Sequence, residues 1–259
     1  MPFGHCPWIV FLAPKLYYSN EIPSTSYRMN FVKYLTKCLF LAAALLTAIP
    51  ISAQEIVTAA QYFGKVADRY AQVNDYEGKI AISTGKETMR GDIIFKSPSL
   101  LRIDFTSPPD QVIAFDGQTL TVYIPSYNAI LSQTAGDKPG AGSTSLATRE
   151  GLKMLKRNYT VAFESSPAPQ GLEDAAGEQA VRLVLVRSSA AEGFKTIKLY
   201  ITPDSLLIRR IEGWTISGDK LTFDFMGVKT NVGIPATRFT YDSPASANVY
   251  NNFLYKSEN

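Results

Sequence analysis

The side chains that most often perform chemistry in proteins are scarce in this sequence. Its one histidine is His5 and its two cysteines are Cys6 and Cys38, so all three precede residue 54. Residues 54–259 therefore contain no Ser-His-Asp triad, no Cys-His pair and no zinc site built on histidine. We expect a protein that is not an enzyme and that holds neither a metal ion nor a cofactor.

Carboxylates remain, and glycoside hydrolysis needs only two of them. Each candidate lies beside a turn or within a strand-like alternation, where a solvated surface charge is the simpler interpretation. An exported hydrolase stays open as an alternative, and its candidate carboxylates are Asp104, Asp110, Asp116, Asp219 and Asp224.

Two further motifs resemble catalytic or nucleotide-binding patterns. Ser83-Thr84-Gly85-Lys86 matches the Ser-x-x-Lys pattern of some acyl enzymes, but it falls where a hairpin turn belongs and no partner motif follows. The stretch GDKPGAGST (136–144) resembles a phosphate loop, but it lacks Gly-Lys-Ser/Thr and no strand leads directly into it. We interpret the first motif as a turn and the second as a flexible linker.

A secretory signal peptide is indicated by NFVKYLTKCLFLAAALLTAIPISA (30–53). Lys33 and Lys37 precede an apolar run from Cys38 to Ile51, and a cleavage site fits after Ala53. The run is shorter than the roughly 20 residues that a membrane span needs. We expect a signal peptide at 29–53 and a protein of residues 54–259 that works outside the cytoplasm. Residues 1–28 are interpreted as a gene-start artefact or a disordered extension.

Removing the leader changes the charge balance. Residues 1–53 carry Lys15, Arg28, Lys33 and Lys37 against Glu21 alone, while the whole chain has 26 Lys+Arg and 23 Asp+Glu. Residues 54–259 therefore carry no net charge, which removes the argument for a nucleic acid partner. They also contain no cysteine, so they must fold without disulfides, and they are numerous enough to bury one full core.

Two amphipathic helices and two runs of strands are predicted in this part. Apolar residues at every third or fourth position from Ile56 to Val73 predict a first helix over 54–73. Leu152 and Leu155 mark the apolar side of a second helix over 145–156, capped by Thr144 or Ser145. Alternation with a period of two predicts about eleven short antiparallel strands, including a hairpin at Asp116-Gly117 and a closing strand over Ile234–Tyr241.

A sheet of that size curls, and two helices cannot cover its concave side completely. We therefore expect an α+β fold with a strongly curved antiparallel sheet, an open β-barrel, and a helical lid over an apolar cavity. A closely packed interior is the alternative. Phe63 and Met154 are expected on the underside of the lid. The full set of expected cavity side chains is Phe63, Ile80, Ile82, Met89, Ile93, Phe95, Leu101, Ile103, Phe105, Met154, Leu183, Leu185, Ile197, Leu199, Leu221, Phe223 and Phe225.

One stretch is specific enough to compare with a known family. Residues 95–124 read FKSPSLLRIDFTSPPDQVIAFDGQTLTVYI, with Lys96 ahead of Pro98, Arg102 within an apolar strand, and a proline pair. This stretch resembles the LolA family, the periplasmic carriers of outer-membrane lipoproteins. The order of elements agrees with that family, and the ending FMGVKTNVGIPATRFTYDSP (225–244) is similar to the family's ending.

The resemblance implies a periplasmic monomer that takes lipoprotein acyl chains into its cavity and ferries them from the inner to the outer membrane. Since a cavity as apolar as the bilayer gains nothing by extracting a chain, and this chain has no nucleotide loop, an ATP-driven inner-membrane complex is implied as a partner. An outer-membrane acceptor is the other implied partner. A lipid- or lipoprotein-sensing envelope protein of the same fold, without a transport role, is the alternative function.

Two basic residues are candidates for fixing the lid or handing cargo on, Lys96 and Arg102. Many family members have a basic residue immediately before the proline, whereas this chain has Ser97 there and Lys96 one position earlier. That departure makes handover to an outer-membrane acceptor the least supported part of the resemblance. Arg102 either points to the face opposite the cavity or pins the lid by hydrogen bonds; a plain surface charge is the alternative.

Overall fold

An amphipathic helix begins the part of the chain whose structure is described. The computed structural model describes residues 57–134, 146–189 and 193–253. Helix α1 (Ala59–Ala71) is capped by Thr58, whose side chain accepts the N–H of Gln61 at 3.2 Å while the Gln61 side chain accepts the N–H of Thr58 at 2.8 Å. Phe63, Val66 and Tyr70 are buried on its inward face. The predicted first helix is therefore present, with shorter bounds.

Several sequence expectations fall outside the described residues. These are the signal peptide at 29–53, the extension at 1–28, the glycine-rich linker at 136–144 and the two proposed helix caps, Thr144 and Ser145. The second helix, α2 (Arg149–Asn158), begins later than expected, because Thr148 caps it by accepting the N–H of Gly151 at 3.1 Å. Neither described helix is long and apolar enough to cross a membrane.

Thirteen strands form the described sheet, two more than the alternation predicts. In space they follow the order β13-β6-β5-β4-β3-β2-β1-β12-β11-β10-β9-β7, with β8 paired to β9, so the curved sheet has two free ends and does not close. The strands are β1 (Asp75–Ser83), β2 (Thr88–Lys96), β3 (Leu100–Ser107), β4 (Pro109–Phe115), β5 (Thr119–Ile124), β6 (Ala129–Thr134), β7 (Tyr159–Phe163), β8 (Gln170–Leu172), β9 (Ala175–Arg187), β10 (Phe194–Ile201), β11 (Ile208–Thr215), β12 (Lys220–Thr230) and β13 (Asn248–Asn251).

Apolar side chains run across the strands in rows on one face of the sheet, here called the inner face. One row joins Leu199, Ile211, Phe223, Ile82 and Met89 through successive antiparallel pairs. Because side chains alternate along a strand, the residues between these positions point to the opposite, outer face. The expected α+β fold with a curved antiparallel sheet is confirmed, and its inner face carries the main hydrophobic core.

Glycine allows the backbones of β2 and β3 to approach closely at Gly91. A side chain at Gly91 would place its Cβ 2.4 Å from the carbonyl oxygen of Asp104 and 2.8 Å from the Cα of Phe105. The strand register also shifts between Arg90 and Gly91, which is the irregularity of a bulge. Glycine is also needed at the predicted hairpin, because Gly117 has a φ of 99°. The Asp116 side chain accepts two N–H groups of that turn.

The expectation of a closing strand over Ile234–Tyr241 is wrong. These residues belong to an outer-face segment, residues 231–247, which contains a short 3-10 helix at Ala236–Phe239. Pro235 has no N–H to give a sheet ladder, and Phe239 is instead buried with Ile94 against the outer face. The last strand is β13, which pairs parallel to β6 and exposes all four of its side chains.

A buried carboxylate fixes the start of the outer-face segment. Asp75 is 3% exposed, and its carboxylate accepts the N–H of Val232 at 2.7 Å, of Gly233 at 3.1 and 3.2 Å, and of Ile234 at 3.1 Å. Asn231 adds two bonds, accepting the N–H of Asn74 at 2.7 Å and donating to the carbonyl of Gln72 at 3.0 Å. The chain leaving β12 is thereby tied to the chain entering β1.

Ion pairs cover the outer face of the other half of the sheet. Asp224 accepts from Arg209 at 3.0 Å and from Arg210 at 2.6 Å. Glu212 accepts from Lys220 at 2.6 Å and from the Tyr200 hydroxyl at 3.0 Å. Burial and the Glu212 charge together raise the pKa of Tyr200, which therefore stays a neutral donor. This part of the outer face therefore carries ion pairs, beside a small apolar cluster of Leu172, Ala180 and Tyr200.

Replacing Asp75 by Asn should lower the free energy of unfolding by about 2 kcal/mol, since an amide N–H₂ would face backbone N–H donors in a buried site. Urea denaturation measures the loss, and hydrogen exchange should show reduced protection at residues 232–234. Asp204→Asn, at an exposed position, is the control and should change neither. Equal stability of the two variants would contradict the role given to Asp75.

Candidate functional site: an apolar cavity

An apolar cavity of about 440 Å³ lies between the inner face of the sheet and helix α2. Its volume is within the range of about 300–1,000 Å³ that small-molecule sites occupy. The described residues that line it come from six neighbouring strands and from the α2 region. They are Ile80, Ile82, Ile93, Leu101, Ile103, Leu146, Met154, Tyr159, Gly193, Phe194, Ile211, Phe223 and Phe225.

No charged side chain occurs among these lining residues. The one side-chain polar group, the Tyr159 hydroxyl, donates to the carbonyl oxygen of Phe194 at 3.0 Å. A lining of this kind gives no strong hydrogen bond and no electrostatic attraction to a polar ligand. It suits a ligand part that is itself apolar, such as an alkyl chain.

Helix α2 supplies the side of the cavity that faces the sheet. Leu152 and Leu155 are fully buried in the core, as their three-residue spacing predicts. Met154 lies between them in sequence and projects into the cavity lining, where its unbranched side chain adapts to ligands of different shape. Leu146, just before the helix, joins it there.

Helix α1 is fastened at its end near β11. The N–H of Ile208 donates to the Tyr70 hydroxyl at 3.1 Å, and burial raises the pKa of Tyr70 to about 12. Tyr70 is therefore a neutral phenol at any physiological pH, and its oxygen accepts this bond. Phe63, on the same helix, is 1% exposed and packs in the core.

The structure divides the expected cavity residues into three groups. Eight lie in the lining: Ile80, Ile82, Ile93, Leu101, Ile103, Met154, Phe223 and Phe225. Seven are buried in the same core without lining the cavity: Phe63, Phe95, Phe105, Leu183, Leu185, Ile197 and Leu199. Met89 packs against that core from a half-buried position, and Leu221 is half-buried opposite Gly213. Whether any of them contacts a ligand stays a prediction.

Five lining residues were absent from the expected set, and one of them, Leu146, lies just before helix α2. Ile211 follows the same inner-face alternation as its neighbours across the sheet, so the sequence pattern could have predicted it as a lining residue. Tyr159, Gly193 and Phe194 lie at the ends of helices and strands, where alternation does not predict which face a side chain occupies. Phe194 reaches the cavity because Gly213 leaves room beneath its ring.

Lys96 and Arg102 both lie on the outer face, away from the cavity. The Lys96 ammonium donates to the carbonyl of Ile234 at 2.6 Å. The Arg102 guanidinium donates to the carbonyls of Arg238 and Thr240 at 3.3 and 2.9 Å, and pairs with Asp104 at 2.8 Å. Arg102 thus lies on the face opposite the cavity, which was one of the alternatives considered for it, and both residues bond the outer-face segment.

The carboxylates considered for hydrolysis are dispersed. Asp104 pairs with Arg102, and Asp224 pairs with Arg209 and Arg210. Asp116 accepts N–H groups of its own turn, and Asp219 accepts the hydroxyl of Ser217. None of these carboxylates belongs to the cavity lining. Their geometry is that of ion pairs and turns.

A second cavity, of about 460 Å³, opens on the outer face and is lined by charged groups. Four of its charges form pairs: Lys79 lies 3.0 Å from Asp92, and Arg238 lies 3.9 Å from Glu77. Charged walls make this cavity unsuited to an alkyl chain. The apolar cavity is therefore the candidate site.

Comparison with known proteins agrees with this geometry. The family model described as outer membrane lipoprotein carrier protein LolA matches residues 70–242. An outer-membrane lipoprotein carrier protein from Dechloromonas aromatica (strain RCB) is 25% identical over 160 residues, covering 61% of this chain and 70% of the relative. One from Cupriavidus necator (strain H16) is 26% identical over 187 residues, covering 72% and 79%.

A solved structure is also similar. An uncharacterized conserved protein from Thermus thermophilus superposes with a TM-score of 0.48 at 14% identity, over 73% of this chain and 98% of that chain. The family match includes helix α2 and strands β1 to β12, and so covers every strand that lines the cavity. The chain belongs to the LolA family of outer membrane lipoprotein carrier proteins.

Proposed function

We propose that this protein binds the acyl chains of lipoproteins in its apolar cavity and carries them through the periplasm from the inner to the outer membrane. The observation that supports this most directly is a ligand-sized cavity whose described lining contains no charge. Membership of a carrier family agrees with binding and transport as opposed to catalysis. The signal peptide expected at 29–53 would deliver the chain to the periplasm.

The energetics of such a carrier require help at one end of the route. Moving an acyl chain from a bilayer into an apolar cavity leaves its burial nearly unchanged, at about 0.8 kcal/mol per methylene in both places. Extraction therefore needs a driving force from outside this chain. We propose that an ATP-driven inner-membrane complex releases the lipoprotein to the cavity, and that a monomer carries it to an outer-membrane acceptor.

Lys96 and Arg102 have a different role in this proposal. They hold the outer-face segment by bonds to its backbone carbonyls, so they shape the protein's outer surface without touching the acyl chain. A partner that receives the protein would meet this surface. Handover would then depend on how firmly the outer-face segment is held in place, and not on a basic side chain beside the cargo.

Replacing Phe223 by Asp should lower affinity for a fluorescent fatty acid at least about tenfold, because a carboxylate would stand in the apolar cavity. Fluorescence titration of delipidated protein measures this, with circular dichroism to confirm folding. Val186→Asp is the matched control, since Val186 is 50% exposed on the outer face, and it should bind like the wild type. Unchanged affinity in Phe223→Asp would place the ligand elsewhere.

Transport is separable from binding in a release assay. Spheroplasts that retain lipoproteins should release them into solution as a complex with this protein, in an energy-dependent way. The protein carrying Phe223→Asp should collect none. Saturable lipopeptide binding without any release would remove the transport role and favour the lipid-sensing alternative.

Replacing Arg102 by Met should raise hydrogen exchange at residues 236–241 while leaving the fatty-acid Kd within about twofold, because the guanidinium bonds the outer-face segment and not the cavity. Lys96→Met should act likewise near Ile234. Lys79→Met is the control, since that exposed lysine pairs only with Asp92 on the same face. A large loss of fatty-acid affinity in Arg102→Met would refute this assignment.

A further inference from the structure

One end of the apolar cavity is bordered by the aromatic ring of Phe194, which is half-buried. In the order of the sheet, the lining residues extend from β3 through β2, β1, β12 and β11 to β10, and Tyr159, the first residue of β7, joins them beside Phe194. From β10, the last of these strands, Phe194 is the described side chain that reaches the lining. Beyond it, the inner-face residues of β9 and β10 are packed solid: Leu183, Leu185, Ile197 and Leu199 have no measurable exposure. Among the described residues, the lining on this side therefore ends at Phe194 and Tyr159.

The position of the Phe194 ring depends on the absence of a side chain at Gly213. A Cβ on Gly213 would lie 2.7 Å from both Cδ1 and Cε1 of the ring, closer than nonbonded atoms can approach. Gly213 shares the inner face with Ile211, two residues earlier on the same strand. The ring therefore lies against the strand backbone itself.

The backbone of Phe194 is fixed as well. Its carbonyl accepts the Tyr159 hydroxyl at 3.0 Å, and Tyr159 is buried at the point where α2 meets β7. The strand register shifts immediately after Phe194, so this residue departs from the regular ladder and its ring can reach over Gly213. Backbone and ring are thus both held, and the end of the cavity has a defined position.

We propose that the Phe194 ring, seated over Gly213, is the end wall of the apolar cavity and sets the longest unbranched alkyl chain that the cavity accepts. This rests on the proposed function, since it requires alkyl chains to occupy the cavity. Phe194 is a specificity-determining residue in this assignment, Gly213 positions its ring, and Tyr159 positions its backbone.

Two substitutions should move the wall in opposite directions. Phe194→Ala removes the ring and extends the cavity toward the space that the ring filled. Gly213→Ala forces the ring away from the strand, and because the neighbouring inner-face positions hold Ile197 and Leu221, we expect the ring to move toward the cavity. The first variant should accept longer chains than the wild type, and the second should accept only shorter ones.

The experiment is a displacement titration with saturated fatty acids of increasing length against a bound fluorescent fatty acid. For the wild type, affinity should rise about fourfold per methylene until the chain reaches Phe194, and then stay constant. In Phe194→Ala the plateau should begin about two methylenes later or more, and in Gly213→Ala it should begin earlier. Phe163→Ala removes the same atoms from a half-buried position outside the lining, and Gly171→Ala adds a methyl group into open space. Both controls should keep the wild-type plateau.

The outcomes separate the two proposals. A wild type that binds fatty acids without a plateau, or a plateau that Phe194→Ala leaves in place, overturns the wall while the carrier function stands. A wild type that binds no chain of any length overturns the carrier function and the wall with it. Thermal melts report whether each variant folds; Phe194→Ala, which only removes atoms, decides the matter if Gly213→Ala does not fold.

Discussion

Cross-strand contact between apolar side chains on the inner face determines most of what this protein can be. Rows such as Leu199–Ile211–Phe223–Ile82 continue across strands that are distant in sequence, so the burial of each member depends on the register of its neighbours. A slip of one residue in any strand would turn charged residues such as Lys79 or Asp92 inward. Because antiparallel strands twist, the rows follow a curved surface, and the space that this surface encloses cannot be filled by two short helices.

The outer face stabilises the curved sheet without a second continuous apolar layer. On one half, Asp75, Lys96 and Arg102 each bind backbone groups of the outer-face segment, and Phe239 is buried beneath it. On the other half, largely buried ion pairs join Asp224 to Arg209 and Arg210, and Glu212 to Lys220. The desolvation cost of burying such charges offsets much of their attraction. The Asp75 carboxylate acts differently, because its charge-assisted bonds to backbone N–H groups tie two segments of the chain together.

Sequence patterns predicted the parts of this fold that depend on local periodicity. The first helix, the alternating strands and the Asp116-Gly117 turn all follow from residue spacing. Periodicity could not separate Phe223, which lines the cavity, from Leu199, which is fully packed, because both stand on the inner face and differ only in what the helices place opposite them. It also predicted a strand over Ile234–Tyr241, where the carbonyls are instead bound by Lys96 and Arg102. Strand β13 had no apolar alternation to reveal it, since all its side chains are exposed.

The proposed carrier function requires that cargo be held firmly enough to keep it from water and loosely enough to be released. An uncharged lining meets both requirements, because every methylene gains about the same free energy as it would in a bilayer and no polar contact adds to it. Affinity then depends on how much of the chain the cavity can enclose, which makes the cavity's ends more important than its walls. Tyr159, Phe194 and Gly213 define one such end, although none of the three was suggested by the alternation of apolar residues. The residues proposed to limit the length of the bound alkyl chain thus lie where strands start and bend. The residues that make the cavity apolar lie along the strands.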